Sequence, residues 1–160
     1  MADSEVTEHL PTAIELPQAS RGKSPELLLH DCRVRIESLD DIVTARQQAR
    51  QLASRVGFSK CNLTLIATAI SEIGRNAVEY AQGAEVIISV IHETSRKGVK
   101  IVVSDHGPGI ADLSTVMRDG YSTVNRLGIG LPGTRRLMDE FEIASEVGVG
   151  TTVTMKKWAS

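Results

Sequence analysis

The sequence predicts an α/β (α+β) two-layer sandwich, with helices on one face of a mixed, mostly antiparallel sheet. Three observations predict it. Strand-like alternation appears at Leu27 to Ile36, in paired runs at Ala84 to Glu93 and Val99 to Asp105, and in a second pair near the C-terminus. Two long segments after the first strand carry apolar residues at helical spacing instead. Strict strand–helix–strand alternation is absent, which argues against a Rossmann arrangement. Because 41% of residues are hydrophobic but only 3% aromatic, the core must be aliphatic.

Met1 to Glu26 is polar, interrupted by Pro11, Pro17 and Pro25, and without a sustained period. It reads as a flexible N-terminal extension, residues 1–26, ahead of one domain over 27–160. In the first strand Cys32, Val34 and Ile36 alternate with Arg33 and Arg35. Asp40 is expected to cap a helix running to about Val56, with Val43, Ala49, Leu52, Ala53 and Val56 on its apolar face and Gly57 as its stop. Asn62 is expected to cap a second helix, Leu63 to about Ala81, ended by Gly83. At 100° per residue, Leu63, Ile66, Ala67, Ile70, Ile73, Gly74, Ala77, Val78 and Ala81 share one apolar face, while Glu72 and Asn76 project from the other side beside Leu65 and Ala69. The next two strands are joined by Ser95-Arg96-Lys97-Gly98 as an antiparallel hairpin. A short capped helix is expected over Asp112 to Asp119, a mobile Gly/Ser/Thr/Asn-rich loop between Gly120 and Leu127, and a helix from Leu131 to Met138. Glu142 to Val147 and Thr151 to Lys157 close the chain as a hairpin across Gly148-Val149-Gly150, with Trp158 anchoring the last strand.

A net charge of −2 with both signs interspersed provides no basic face, so no nucleic-acid partner is expected. No apolar run is long enough to span a bilayer and no secretory signal precedes the domain, so no membrane partner and a cytoplasmic location are expected. Cys32 and Cys61 lack metal-site spacing and read as free thiols.

Two glycine clusters carry the chemistry. Asp105 stands at the end of a strand immediately before Gly107 and Gly109. A carboxylate held there can accept a hydrogen bond from an exocyclic amine such as that of adenine, and glycines let backbone approach a planar ring. Gly128-Ile129-Gly130 opens a helix whose N-terminal N–H groups suit phosphate oxygens. Beside a triphosphate, the Asn76 amide can give a magnesium ion a hard oxygen ligand, and Glu72 one turn earlier can deprotonate an attacking hydroxyl. Taken alone, a Glu and an Asn four apart read more simply as a solvated helix face.

Together, Glu72-Ile73-Gly74-Arg75-Asn76, Asp105-His106-Gly107-Pro108-Gly109, Gly128-Ile129-Gly130 and Gly150-Thr151-Thr152 resemble, in this order, the N box and three glycine-containing boxes of the GHKL ATPase superfamily, the Bergerat fold. Four ordered motifs are far more specific than any single one. The resemblance spans about Cys32 to Trp158. The runs Asp119 to Thr123 and Gly130 to Phe141 are most similar to the serine/threonine kinases of the stressosome switch-kinase type, relatives of the anti-sigma factor kinases.

What the resemblance implies is ATP- and Mg2+-dependent phosphorylation of a Ser or Thr on STAS-domain scaffold and antagonist proteins of a stressosome, followed by release of the kinase to activate a downstream phosphatase. It assigns Glu72 as general base, Asn76 as magnesium ligand, and Asp105 as the adenine reader in a pocket shaped by Gly107 and Gly109. It gives Gly128, Ile129 and Gly130 to the phosphates, Thr151 to the adenine end, and Arg126, in the expected lid, to the terminal phosphate. Ser122 and Thr123 could contact phosphate or merely solubilise that loop. Arg75 is expected to pair with Glu79, and His9, His30, His92 and His106 to serve at the surface. The rival readings are an anti-sigma factor that binds a sigma factor and phosphorylates its antagonist, a non-enzymatic ATP-binding docking module, and a histidine kinase fragment. Gly130 to Phe141 favours the switch kinase over the first, an intact Glu72 speaks against the second, and the lack of a long periodic segment before Leu27 speaks against the third.

Overall fold

A computed structural model describes residues 27–118 and 130–160. The extension expected over 1–26 and the loop expected between Gly120 and Leu127 lie outside the described residues. Within them run β1 (Leu27–Ile36), α1 (Leu39–Val56), α2 (Lys60–Ala81), β2 (Ala84–Glu93), β3 (Arg96–Ser104), α3 (Leu113–Val116), α4 (Gly130–Leu137), β4 (Glu140–Glu146) and β5 (Gly150–Trp158). The strands form one sheet in the order β1-β2-β3-β5-β4, antiparallel at all four pairings.

Register explains why one face is apolar. Val34, Val86, Val103, Val153 and Ile143 lie opposite one another in turn and form a rung across the whole sheet. Cys32, Ile88, Ile101, Met155 and Phe141 form the next. α1 and α2 pack on this face, burying Ile36, Ile42, Ile66, Ile70, Ile73, Ile88 and Ile101 in one cluster. Each fully buried Ile contributes about 1.5–3 kcal/mol. On the other face Arg33, Arg35, Glu85 and Glu142 are exposed, the alternation expected of a sheet with one wet side.

Several boundaries differ from the expected ones. Ser38, not Asp40, caps α1: its Oγ accepts the Asp41 N–H, and Asp41 Oδ2 accepts the N–H groups of Ser38 at 3.1 Å and Glu37 at 2.9 Å. Val43 is 46% exposed and does not belong to the buried face, whereas Gly57 ends the helix in the left-handed region as expected. Ser59 caps α2 by accepting the Asn62 N–H at 3.2 Å, so Asn62 lies inside the first turn, and Gln82 at φ +61° ends the helix one residue before Gly83. Ala69, expected opposite the apolar face, is buried too, since α2 is packed by α1, α4 and the sheet. Pairing in the first hairpin reaches Glu93 and Arg96, leaving only Thr94 and Ser95 in the turn. α3 is a single turn capped by Asp112, and β4 starts at Glu140. Trp158 does anchor the last strand: its N–H donates to Asp139 Oδ2 at 2.7 Å, its Nε1–H to Glu140 Oε1 at 3.1 Å, and Arg96 lies over its ring.

Candidate active site

The same rung supplies the floor of a cavity of about 350 Å3 through Val103, Val153 and Ile143. One wall is α2, through Glu72, Ile73, Asn76, Ala77, Tyr80 and Ala81. The facing wall is Asp105, Pro108, Gly109, Ile110 and Thr151, and Gly130 and Leu131 bring in the start of α4. The volume lies within the ~300–1,000 Å3 typical of small-ligand pockets, and the lining is mostly apolar with a few convergent polar groups.

Helical spacing sets the polar wall. Glu72, Asn76 and Tyr80 follow at intervals of four and share one stripe of α2, all facing the cavity. The pair is therefore not a solvated face. Glu72 keeps only 13% of its side chain exposed, and Arg75 Nη1 donates to its Oε1 at 3.1 Å. Arg75, expected to serve only Glu79, is thus in contact with the candidate base. Tyr80 at the rim was not singled out from the sequence, although the period of four from Glu72 points to it.

Asp105 follows β3 directly and is tied into the sheet by donating its N–H to the Thr151 carbonyl at 2.9 Å. Its Oδ1 accepts the N–H groups of Gly107 at 2.9 Å and Thr151 at 3.1 Å, so Oδ2 is the oxygen left for an outside donor. The glycines beside it have a different physical reason from the one the sequence suggested. A Cβ on Gly107 would strike Ala81 at the end of α2, and a Cβ on Gly109, which sits at φ +74°, would strike the Glu146 carbonyl. Both vacancies are filled by protein rather than by a ligand ring. Gly107 lets the loop close on α2, and Gly109 lets it close on the β4–β5 turn, where Gly148 N–H donates to the Pro108 carbonyl at 2.9 Å. Thr151 is joined by Ser145, which the sequence did not flag: the two hydroxyls lie 2.7 Å apart, and Ser145 Oγ accepts the Ile110 N–H at 2.8 Å.

Gly130, at φ +65°, opens α4 toward the cavity, and the buried Thr134 hydroxyl donates to its carbonyl at 2.8 Å. Arg126, Gly128 and Ile129 lie outside the described residues, as do Ser122 and Thr123. His106 is exposed and is not part of the cavity wall. Among the described residues no group of three or more His, Cys, Asp or Glu side chains is placed to hold a metal ion. One half-buried amide oxygen on the cavity wall is the kind of ligand magnesium takes beside bound phosphates, since that ion takes few protein ligands and completes its shell with phosphate and water. No helix among the described residues is long and apolar enough to cross a membrane.

Residues 37–157 match the family described as the Histidine kinase-like ATPase domain. The chain is 46% identical over 125 residues to the Serine/threonine-protein kinase RsbT of Bacillus subtilis (strain 168), an alignment that covers 78% of this chain and 94% of that relative. It is 34% identical over 100 residues to an Anti-sigma F factor of Halalkalibacterium halodurans, covering 59% of this chain and 68% of the relative. Among solved structures, the RsbU and RsbW domains of a Mycobacterium tuberculosis protein match with a TM-score of 0.57 at 22% identity, over 86% of this chain and 33% of that one, a likeness of fold.

Proposed function

The chain belongs to the histidine kinase-like ATPase domain family, in the serine/threonine-protein kinase branch, and from that premise we propose that this cavity binds MgATP and passes its terminal phosphoryl group to a Ser or Thr of a STAS-domain protein. The observation that carries the reading is that Glu72 and Asn76, one turn apart on α2, face the same cavity as Asp105. The acceptor proteins are the scaffold and antagonist proteins of a stressosome in the cytoplasm, and the kinase released from them activates a downstream phosphatase.

Phosphoryl transfer needs positioning and charge neutralisation more than covalent help from the protein. Asp105 Oδ2 accepts from the exocyclic amine of adenine, and Thr151 meets the same end of the base. Gly130 at the start of α4 offers its backbone to the phosphates, a role the sequence motif extends to Gly128 and Ile129, and the same motif gives Arg126 to the terminal phosphate, these three residues lying outside the described ones. Asn76 would hold magnesium through its amide oxygen, and the ion would supply charge neutralisation at the phosphates. As the acceptor oxygen bonds to phosphorus and the bond to the leaving ADP oxygen breaks, the hydroxyl proton passes to Glu72. Arg75 holds that carboxylate in place from the solvent side.

Incubating a STAS-domain protein from the same genome with MgATP and this chain, then reading phosphate by mass spectrometry, tests the proposal. Transfer is expected from the wild type and is expected to fall at least about a hundredfold in Glu72→Gln, the scale of a lost general base. Equal transfer by both would remove Glu72 from the chemistry. ATP binding without transfer by either would favour the anti-sigma or docking reading, although the closer identity and fuller coverage of the serine/threonine-protein kinase weigh against it.

A further inference from the structure

Ser145 of β4 lies in register opposite Thr151 of β5, beneath the cavity wall and outside its lining. Its Oγ makes three contacts: the Ile110 N–H at 2.8 Å, Thr151 Oγ1 at 2.7 Å and the Gly150 carbonyl at 3.1 Å. A serine hydroxyl has one proton to give and two lone pairs to receive with. The Ile110 N–H can only donate, so it occupies one lone pair. The single proton then goes either to the Gly150 carbonyl or to Thr151 Oγ1, and that choice sets what Thr151 shows the cavity. In the first case Thr151 must give its own proton to Ser145 and presents only lone pairs. In the second, Thr151 receives from Ser145 and keeps a proton for a ligand. The 2.7 Å line carries a proton in either arrangement, but the 3.1 Å contact to Gly150 is longer than the usual O–H···O range of about 2.5–3.0 Å, so the second arrangement, which does not depend on it, is the better bonded.

Ligand chemistry points the same way. The edge of adenine that carries the amine presents a donor and, next to it, a ring nitrogen that only accepts. Asp105 Oδ2 can only accept, which suits the amine, so the neighbouring Thr151 hydroxyl has to donate. We propose that Ser145 is a positioning residue for base recognition: by donating to Thr151 Oγ1 it turns the Thr151 proton outward onto the ring nitrogen beside the adenine amine. The inference rests on the ATP reading above. It also ties the wall of the pocket to the base, because the same Ser145 oxygen holds the Ile110 amide.

The test pairs a change in the ligand with a change in the protein. Calorimetry compares ATP with the analogue in which C–H replaces that ring nitrogen, on the wild type, Ser145→Ala and Ser145→Thr. The wild type is expected to prefer ATP by about three- to tenfold, the value of one neutral hydrogen bond. Ser145→Ala is expected to bring the preference close to one, and Ser145→Thr to restore it. An unchanged preference in Ser145→Ala, or equal weakening of both ligands, would reduce Ser145 to a structural contact and overturn the proposal. A wild type that binds ATP without preferring it to the analogue would also overturn it while leaving the ATP site intact, and this arm needs no variant to fold. A wild type that binds neither would overturn the ATP reading and this inference with it.

Discussion

Asp105 divides its two oxygens between the protein and the cavity. Oδ1 closes the turn onto Gly107 and the strand end at Thr151, while Oδ2 is left for the ligand. Asp105→Asn separates these roles, because the amide oxygen can keep both backbone contacts while an NH2 group replaces the outward acceptor. Opposite an exocyclic amine that NH2 is a donor facing a donor. A hydrogen bond to a charged group contributes about 1.5–3 kcal/mol, so ATP affinity is expected to fall about ten- to a hundredfold by calorimetry. The unliganded midpoint is expected to stay within about 4 °C of wild type. Undiminished affinity would take adenine reading away from Asp105. At this scale the sequence reached Glu72, Asn76, Asp105 and Thr151 through ordered motifs, and the cavity gathers all four. Ser145 escaped because a lone Ser on an alternating strand has no signature. Arg75 escaped because helix spacing offers it partners at both three and four residues, and the sequence alone does not show the contact to Glu72 that the structure makes.

Among the elements, α1 has the most explicit terminus. The Asp41 carboxyl is held below its usual value of 3.8 chiefly by the Glu37 N–H, with Ser38 adding to the effect and partial burial opposing it. A depressed carboxylate stabilises the fold above that usual value, and the contribution is lost as pH falls through the lower value in the folded state. Protection of the first-turn amides of α1 is therefore expected to hold at neutral pH and to decline below about pH 4, after correction for intrinsic exchange. Ser38→Ala is expected to cost about 1 kcal/mol at neutral pH in denaturant unfolding, as for other lost caps, and no loss would mean that the box is ornamental. The same terminus shows the limit of sequence reading. Ser38, Asp40 and Asp41 are all capping residue types, and only the reciprocal contact between Ser38 and Asp41 selects the first as the cap. Ser59 and Asn62 present the same ambiguity at α2. The strands were easier to find, since β-branched alternation from Ala84 to Ser104 leaves little choice, yet two residues sufficed for a turn where four were expected, because β3 pairs from Arg96 onward.

Across the whole molecule, core and site share material. Ile73, Val103 and Val153 are buried in the hydrophobic cluster and also line the cavity, and α2 lends one side to α1 and another to the ligand wall. Alternation in the sequence made this sheet legible as one-sided, but it could not reveal that Val103, Val153 and Ile143 also form the floor of a cavity walled by α2 and the strand-end loops. That cavity is set by how α2 and the strand-end loops pack on the sheet, a tertiary fact with no local pattern. One consequence is that ligand binding and global stability are linked, because unfolding disperses the cavity walls along with the core. ATP at a hundred times its dissociation constant stabilises a folded state that alone binds it by about 2.7 kcal/mol. For a chain of this size that corresponds to a rise of about 5–11 °C in the thermal midpoint. Glu72→Gln is expected to keep the rise, since its proton transfer is not part of binding, whereas Asp105→Asn is expected to lose about half of it or more at the same ATP concentration. A wild-type midpoint unmoved by saturating MgATP would place nucleotide binding outside this cavity. A shift lost in Glu72→Gln but kept in Asp105→Asn would reverse the two roles, making α2 the anchor for the nucleotide and the strand-end carboxylate a bystander.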